Sequence, residues 1–168
     1  MKRPAALFFT FLILLCSLVS CSGSGEKTSC RALVGAMTER EIGLPAGSFY
    51  SMTAPEGDKE YLSRSLISSL FGGGSYPKAA EGWLDAALYL SLGSHPCEFA
   101  VILCQDRDVA HDTADLLNSR LSAIKLAKSD EKYAQYLQNA SVTLVGNYAL
   151  LIISSDTRTA LKSFMKNK

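Results

Sequence analysis

The chain predicts an α+β domain on a four-stranded antiparallel sheet, made of two β-hairpins separated by a long helix and flanked by N-terminal and C-terminal helices packed on it. Three observations lead there. Leu84, Ala86, Leu88, Leu90 and Leu92 alternate with Asp85, Ala87, Tyr89 and Ser91, the period of a half-buried strand. Two apolar runs, "SVTLV" and "YALLIIS", are joined by Gly146-Asn147, a dipeptide that tolerates the positive φ of a two-residue hairpin turn. Between these hairpins, residues 108–126 carry apolar side chains at helical spacing.

Taken in order, the chain opens on Met1, Lys2 and Arg3, followed by a mostly apolar run from Ala5 to Val19. A membrane span needs about 20 apolar residues, whereas a basic start and a shorter apolar run describe a secretory signal peptide. An uncleaved anchor or ordinary secretion would leave the following Ser-Gly-Ser-Gly unexplained. Leu18-Val19-Ser20-Cys21 resembles the bacterial lipobox. That resemblance implies a signal peptide at 1–20, cleavage before Cys21, and a diacylglyceryl lipid on the Cys21 thiol. It places the mature protein at the outer face of the cell membrane, with 21–26 as a flexible Ser/Gly tether and two acyl chains giving a stable anchor.

Residues 27–168 then make one domain. Of 17 Lys+Arg, two lie in the leader, so 15 remain against 16 Asp+Glu. The charges are dispersed and lack the basic excess that nucleic acid requires.

The first helix spans Lys27 to about Arg40, with Cys30, Leu33, Val34 and Met37 on one face, and ends at Gly43, Pro45 and Gly47. "SFYSMT" at 48–53 reads equally as a short strand or an ordered loop. A second helix from Lys59 to Phe71 uses Leu62, Leu66, Ile67 and Leu70 and stops at "GGGSYP". After strand 84–92 and the turn "GSHP", the next strand places Cys97, Phe99, Val101 and Leu103 opposite in direction to Glu98, Ala100, Ile102 and Cys104. Symmetric closure pairs Leu92 with Cys97 and Leu90 with Phe99. The long helix from Asp108 to Leu126 follows, then a helical stretch from Asp130 to Asn139. The last two strands are apolar on both sides, which places them centrally or under cover on both faces. A final helix from Asp156 to Met165, capped by Ser155 or Asp156, buries Ala160, Leu161, Phe164 and Met165.

The segments "EYLSRSLISSLFGG", "HPCEFAVILCQDRDVAHDTADLLNSRL" and "VTLVGNYALLIISSD" together resemble an uncharacterised family of small Gram-positive bacterial lipoproteins, a domain of unknown function. In that family an acidic residue leads a strand, an Arg sits in the following long helix and a Gly-Asn-like turn precedes the last strand, and Glu98, Arg120 and Gly146-Asn147 match these. The resemblance implies fold and localisation and brings no activity, substrate or catalytic residue.

Searching for chemistry directly gives little. Cys30, Cys97 and Cys104 are an odd set without C-x-x-C, and Cys97 and Cys104 point to opposite faces of one strand. Buried free thiols are expected, while a Cys30 bridge to Cys97 or Cys104 stays open. S-x-x-K begins at Ser24, Ser75, Ser122, Ser129 and Ser163, without the partner motifs of penicillin-interacting enzymes. Neither G-x-S-x-G nor a complete phosphate loop occurs. His111 and Asp115 share a helical face, but it lies about 200–240° round from Val109 and reads as solvated, so no metal or other cofactor is expected. His95 reads as a turn residue.

One charge is out of place. The stripe Val109, Thr113, Leu116, Arg120, Ile124, Ala127 includes Arg120, which must be paired, snorkel or contact a ligand. Strand parity sets the long helix on the Leu90 and Phe99 face; the family resemblance leans to the Glu98 face, where Arg120 and Glu98 pair. The function expected is a non-enzymatic binding or accessory module of the cell envelope, membrane-bound through its lipid and taking an unknown protein or small-molecule partner. The alternative is a cell-envelope hydrolase with dispersed catalytic residues. A cleft with several convergent polar groups favours the enzyme and an exposed apolar patch favours a partner surface.

Overall fold

The computed structural model describes residues 28–128 and 131–168. The leader 1–20, Cys21, the tether 21–26, Lys27 and Asp130 lie outside the described residues.

Helix α1 (Cys30–Thr38) starts where the Ser29 hydroxyl accepts the Ala32 N–H, and it buries Cys30, Leu33, Val34 and Met37. This is the i, i+3, i+4, i+7 face read from the sequence. Strand β1 (Gly47–Ser51) follows. Helix α2 (Arg64–Phe71) begins five residues later than expected, because the Ser63 hydroxyl caps Leu66 N–H and fixes the start. A 3₁₀ turn (Lys78–Gly82) leads into β2 (Trp83–Ser91), which pairs through a loop with β3 (Glu98–Cys104). Helix α3 (Arg107–Ala127), capped by Asp106, crosses back to α4 (Ala134–Asn139). The hairpin β4 (Ser141–Val145) and β5 (Tyr148–Ile153) precedes α5 (Thr157–Asn167). Gly146, at φ 61°, supplies the left-handed turn between those strands.

The architecture is α+β with an antiparallel sheet, but the sheet has five strands, in the order β1-β2-β3-β5-β4. The fifth is the ambiguous "SFYS" segment, held against β2 with Ser48 opposite Leu90 and Ser51 opposite Ala87. Gly47 is required there, since a Cβ would lie 2.5 Å from the Tyr89 ring. Tyr89 packs over it and donates its hydroxyl to the Pro45 carbonyl.

Helices cover both faces of the sheet. One core joins α1 and α5 to Ala87, Tyr89, Cys97, Phe99, Val101, Leu150 and Ile152. The other joins α2, α3 and α4 to Ala86, Leu88, Ala100, Ile102, Ala149, Leu151 and Ile153. Strand β2 is therefore buried on both sides in its middle and not half-buried; Leu84 and Leu92, expected inside, are 62% exposed at its two ends. Of the last pair, β5 is an interior strand buried from Ala149 to Ile153, while β4 is an edge strand of intermediate exposure.

Symmetric closure of the β2–β3 loop does not occur. Leu90 faces Glu98 and Tyr89 faces Phe99, one residue away from the expected register, which puts Leu90 on the Glu98 side. The cause is local: the Ser91 hydroxyl donates to the His95 carbonyl at 2.6 Å, and Cys97 N–H donates to His95 Nδ1 at 3.1 Å. These bonds set the loop's length.

Two helical stripes also shift. Helix α3 buries Ala110, Thr113, Ala114, Leu117, Leu121 and Ile124, centred about 90° round from Val109, so Arg120 stands at the stripe's border rather than its middle. In α5 the buried set is Ala160, Ser163 and Phe164. Met165 is 49% exposed, because Ser163 turns inward and donates to the Ala36 carbonyl. Among the described residues no helix is long and apolar enough to cross a membrane.

Candidate functional site

The end of the sheet where β2 finishes and β3 begins meets the C-terminal half of α3 and the last turn of α2. A cleft of about 380 Å³ opens there, lined among others by Leu70, Leu90, His95, Glu98, Arg120, Ile124 and Lys128. Its wall is mainly apolar, with the polar groups gathered on the loop and on α3.

Glu98 and Arg120 form its polar centre. Helix α3 covers the Glu98 face of the sheet, as the family resemblance leans and against strand parity, because the shifted β2–β3 register turns Leu88 and Leu90 to the same side. Arg120 Nε donates to Glu98 Oε1 at 2.5 Å, Nη2 donates to Oε2 at 2.7 Å, and Nη1 donates to the Leu70 carbonyl at 3.3 Å. The side chains are 16% and 6% exposed, respectively. A fork-to-fork pair of this kind fixes orientation as well as charge, and it ties α3 to both β3 and α2.

Around the pair stand residues whose role the sequence did not disclose. Lys128 caps the end of α3 and donates from Nζ to the His95 carbonyl at 2.6 Å. The same carbonyl accepts from Ser91. His95 Nδ1 accepts the Cys97 N–H, so the neutral ring carries its proton on Nε2. The ring packs edge-on against Tyr133 and Tyr136, with centroids at 4.9 and 4.7 Å. Burial lowers the His95 pKa, the Lys128 charge lowers it further, and the Glu41 carboxylate partly offsets both. Glu41 is itself buried, accepting Ser154 Oγ–H at 2.6 Å and Ser155 N–H at 3.0 Å. It fastens the turn after α1 to the start of α5. His95 thus belongs to the β2–β3 turn, as read, but it also organises the cleft.

The other sequence candidates do not converge here. His111 and Asp115 are exposed on the outer side of α3. Cys30, Cys97 and Cys104 are free and buried, Cys97 and Cys104 on opposite faces of the sheet. Burial raises all three thiols, Cys97 to about 12, with Glu41 and Glu98 adding to the effect; these are not nucleophiles at neutral pH. Of the S-x-x-K serines, Ser75 and Ser122 are exposed and Ser163 is bonded to a carbonyl; Ser24 and Ser129 lie outside the described residues.

Helical geometry is the signal that finds Arg120, and the alternation of β3 finds Glu98. Lys128 and His95 reach the cleft from a helix end and a loop, where no periodicity points. No family model, curated protein or solved structure matches the chain, so the resemblance to the lipoprotein family rests on the residues that carry it, Glu98, Arg120 and Gly146-Asn147 among them.

Proposed function

We propose that this protein is a lipid-anchored, extracytoplasmic binding or accessory module, held at the outer face of the cell membrane through Cys21 and engaging its ligand or partner through the Arg120 cleft. The leader, the lipobox-like "LVSC" and the Ser/Gly tether support the anchor. The observation that carries the binding role is the placement of the cleft relative to the start of the domain. Cys30 N–H, at the N-terminus of α1, donates to Asp85 Oδ2 at 2.7 Å, near the beginning of β2. The cleft is lined by Leu90 and Ser91, at the strand's other end, roughly 20 Å away at the rise of a strand. A domain tethered at the first end presents the second to the space beyond the bilayer.

A binding role fits the cleft better than hydrolysis because the reactive groups there already serve the fold. Ser91 Oγ–H is donated to a carbonyl, Cys97 is a buried protonated thiol, and both oxygens of Glu98 hold Arg120. The test is a photo-cross-linking amino acid placed at Ala123, beside the cleft, and separately at Lys162 on α5, in living cells. Adducts from position 123 that are missing from position 162 are expected. Identical adducts from both positions, or none from 123, would remove the cleft from consideration.

A further inference from the structure

The cleft's hydrogen-bonding groups are unequal in kind, and this inequality points to the chemistry of what it binds. Its carboxylate, Glu98, has both oxygens engaged by Arg120. A guanidinium carries five N–H donors and an ammonium three. Arg120 makes three hydrogen bonds, to Glu98 and to the Leu70 carbonyl, and Lys128 makes one to the His95 carbonyl. His95, with Nδ1 accepting, offers Nε2–H. Donors therefore exceed acceptors. Charge is unequal in the same sense: Glu98 and Arg120 cancel, His95 is neutral, and Lys128 leaves the lining with a positive charge. Beside these groups Leu70, Leu90 and Ile124 supply an apolar wall, which no polar or multiply charged ligand would cover.

We infer that the cleft binds a small amphiphilic carboxylate, its anionic head at Lys128 and beside Arg120 and its apolar body on Leu70, Leu90 and Ile124. This rests on the reading of the cleft as the binding site and adds the ligand class. A single carboxylate matches one uncompensated cation, and it supplies the acceptors that the donors lack. A volume of about 380 Å³ is at the lower end of the range for small-molecule sites, which suits an aryl or short acyl body.

The probe is 4-phenylbutyrate, compared with its uncharged primary amide, titrated against the intact protein in nanodiscs with empty nanodiscs as the blank. Methyl NMR reads Leu70, Leu90 and Ile124. Saturable shifts confined to those methyls are expected, with the amide weaker by about tenfold, the scale of one charge-assisted hydrogen bond. Lys128→Gln should lose about the same factor, Lys128→Arg should restore most of it, and Lys162→Gln should change nothing. Equal binding of acid and amide, no saturable shift at millimolar acid, or preference for a peptide over the acid would overturn the inference. Ala127→Trp, made in the protein that carries the cross-linking residue at position 123, separates this from the reading beneath it: if the acid fails while that substitution still abolishes the cross-links seen in cells, the ligand class is wrong and the site stands.

Discussion

Replacing Arg120 by Ala tests whether the pair at the cleft is structural. The substitution removes two charge-assisted bonds to Glu98 and one to Leu70. It leaves a carboxylate that is 6% exposed facing apolar neighbours. Breaking one partner out of a buried pair costs about 3–5 kcal/mol. The cleft admits water to the Arg120 side of the pair, so we expect the lower end, about 3 kcal/mol, still a large fraction of the ~5–15 kcal/mol that holds a domain together. Glu98→Ala should cost less, about 1–2 kcal/mol, because Arg120 keeps its Leu70 bond and its stem can carry the charge outward. The double substitution should cost less than the two singles together, with a coupling of about 2 kcal/mol. Urea unfolding read by the fluorescence of Trp83 gives each value, and with a slope of about 1–3 kcal/mol per molar the Arg120→Ala midpoint should fall by about 1–3 M. A loss below about 0.5 kcal/mol, or strict additivity of the two singles, would show that the pair does not hold α3 to the sheet.

Further expectations follow from the anchor, the thiols, the loop histidine and the outer face of α3. Cys21→Ala should give a longer, unlipidated precursor; unchanged labelling by a fatty-acid analogue would refute the lipobox reading. Buried thiols with raised pKa values should resist alkylation at pH 8 in the folded protein and react at Cys30, Cys97 and Cys104 in denaturant, so rapid native labelling at any of them would contradict the packing. The lowered His95 pKa means the unfolded chain binds the extra proton first. Stability from this site is therefore unaffected above the ordinary value of 6.5 and falls as pH drops below it; His95→Ala should flatten that part of the stability profile. With His111 and Asp115 exposed, zinc titrated calorimetrically should give no stoichiometric signal, and one lost in His111→Ala would identify a site on that face.

How much of this was legible depends on where each residue's partners sit in the sequence. The α1 face from Cys30 to Met37, the Gly146-Asn147 turn and the extent of α3 follow from local periodicity and turn chemistry, and the structure has them. Strand β1 was ambiguous because Gly47-Ser48-Phe49-Tyr50-Ser51 has few apolar residues of its own; its strand character comes from pairing with β2, some forty residues on. The β2–β3 register is not legible because side-chain bonds of Ser91 and His95 set it, and alternation carries no record of those. Reading Ala87 and Tyr89 as the wet side of β2 hid the second helical layer, since Tyr is compatible with either environment. Arg120 stands out as a charge among apolar neighbours, whereas its partner depends on which face of the sheet α3 covers, a non-local fact. Glu41 gives no local signal at all: an acidic residue after a helix looks solvated until Ser154 and Ser155 arrive from the far end of the chain.

Helix α3 is fixed to the sheet by polar contacts two turns apart along one side. Trp83 Nε1 donates to Thr113 Oγ1 at 2.8 Å, Arg120 holds Glu98, and Lys128 holds the His95 carbonyl. From Thr113 to Lys128 these clamps cover about 22 Å of helix at 1.5 Å per residue, and the cleft lies beside the last two. A cavity bounded by a helix held in this way is formed before any ligand enters, so little ordering entropy opposes binding. The arrangement also separates the two roles experimentally. Arg120 and Lys128 contribute to the clamps and line the cleft, so their substitution can change both at once, whereas Ala123 and Ala127 line the cleft without belonging to any clamp. Changes at those two positions that weaken binding while leaving the urea midpoint in place would therefore report on recognition alone.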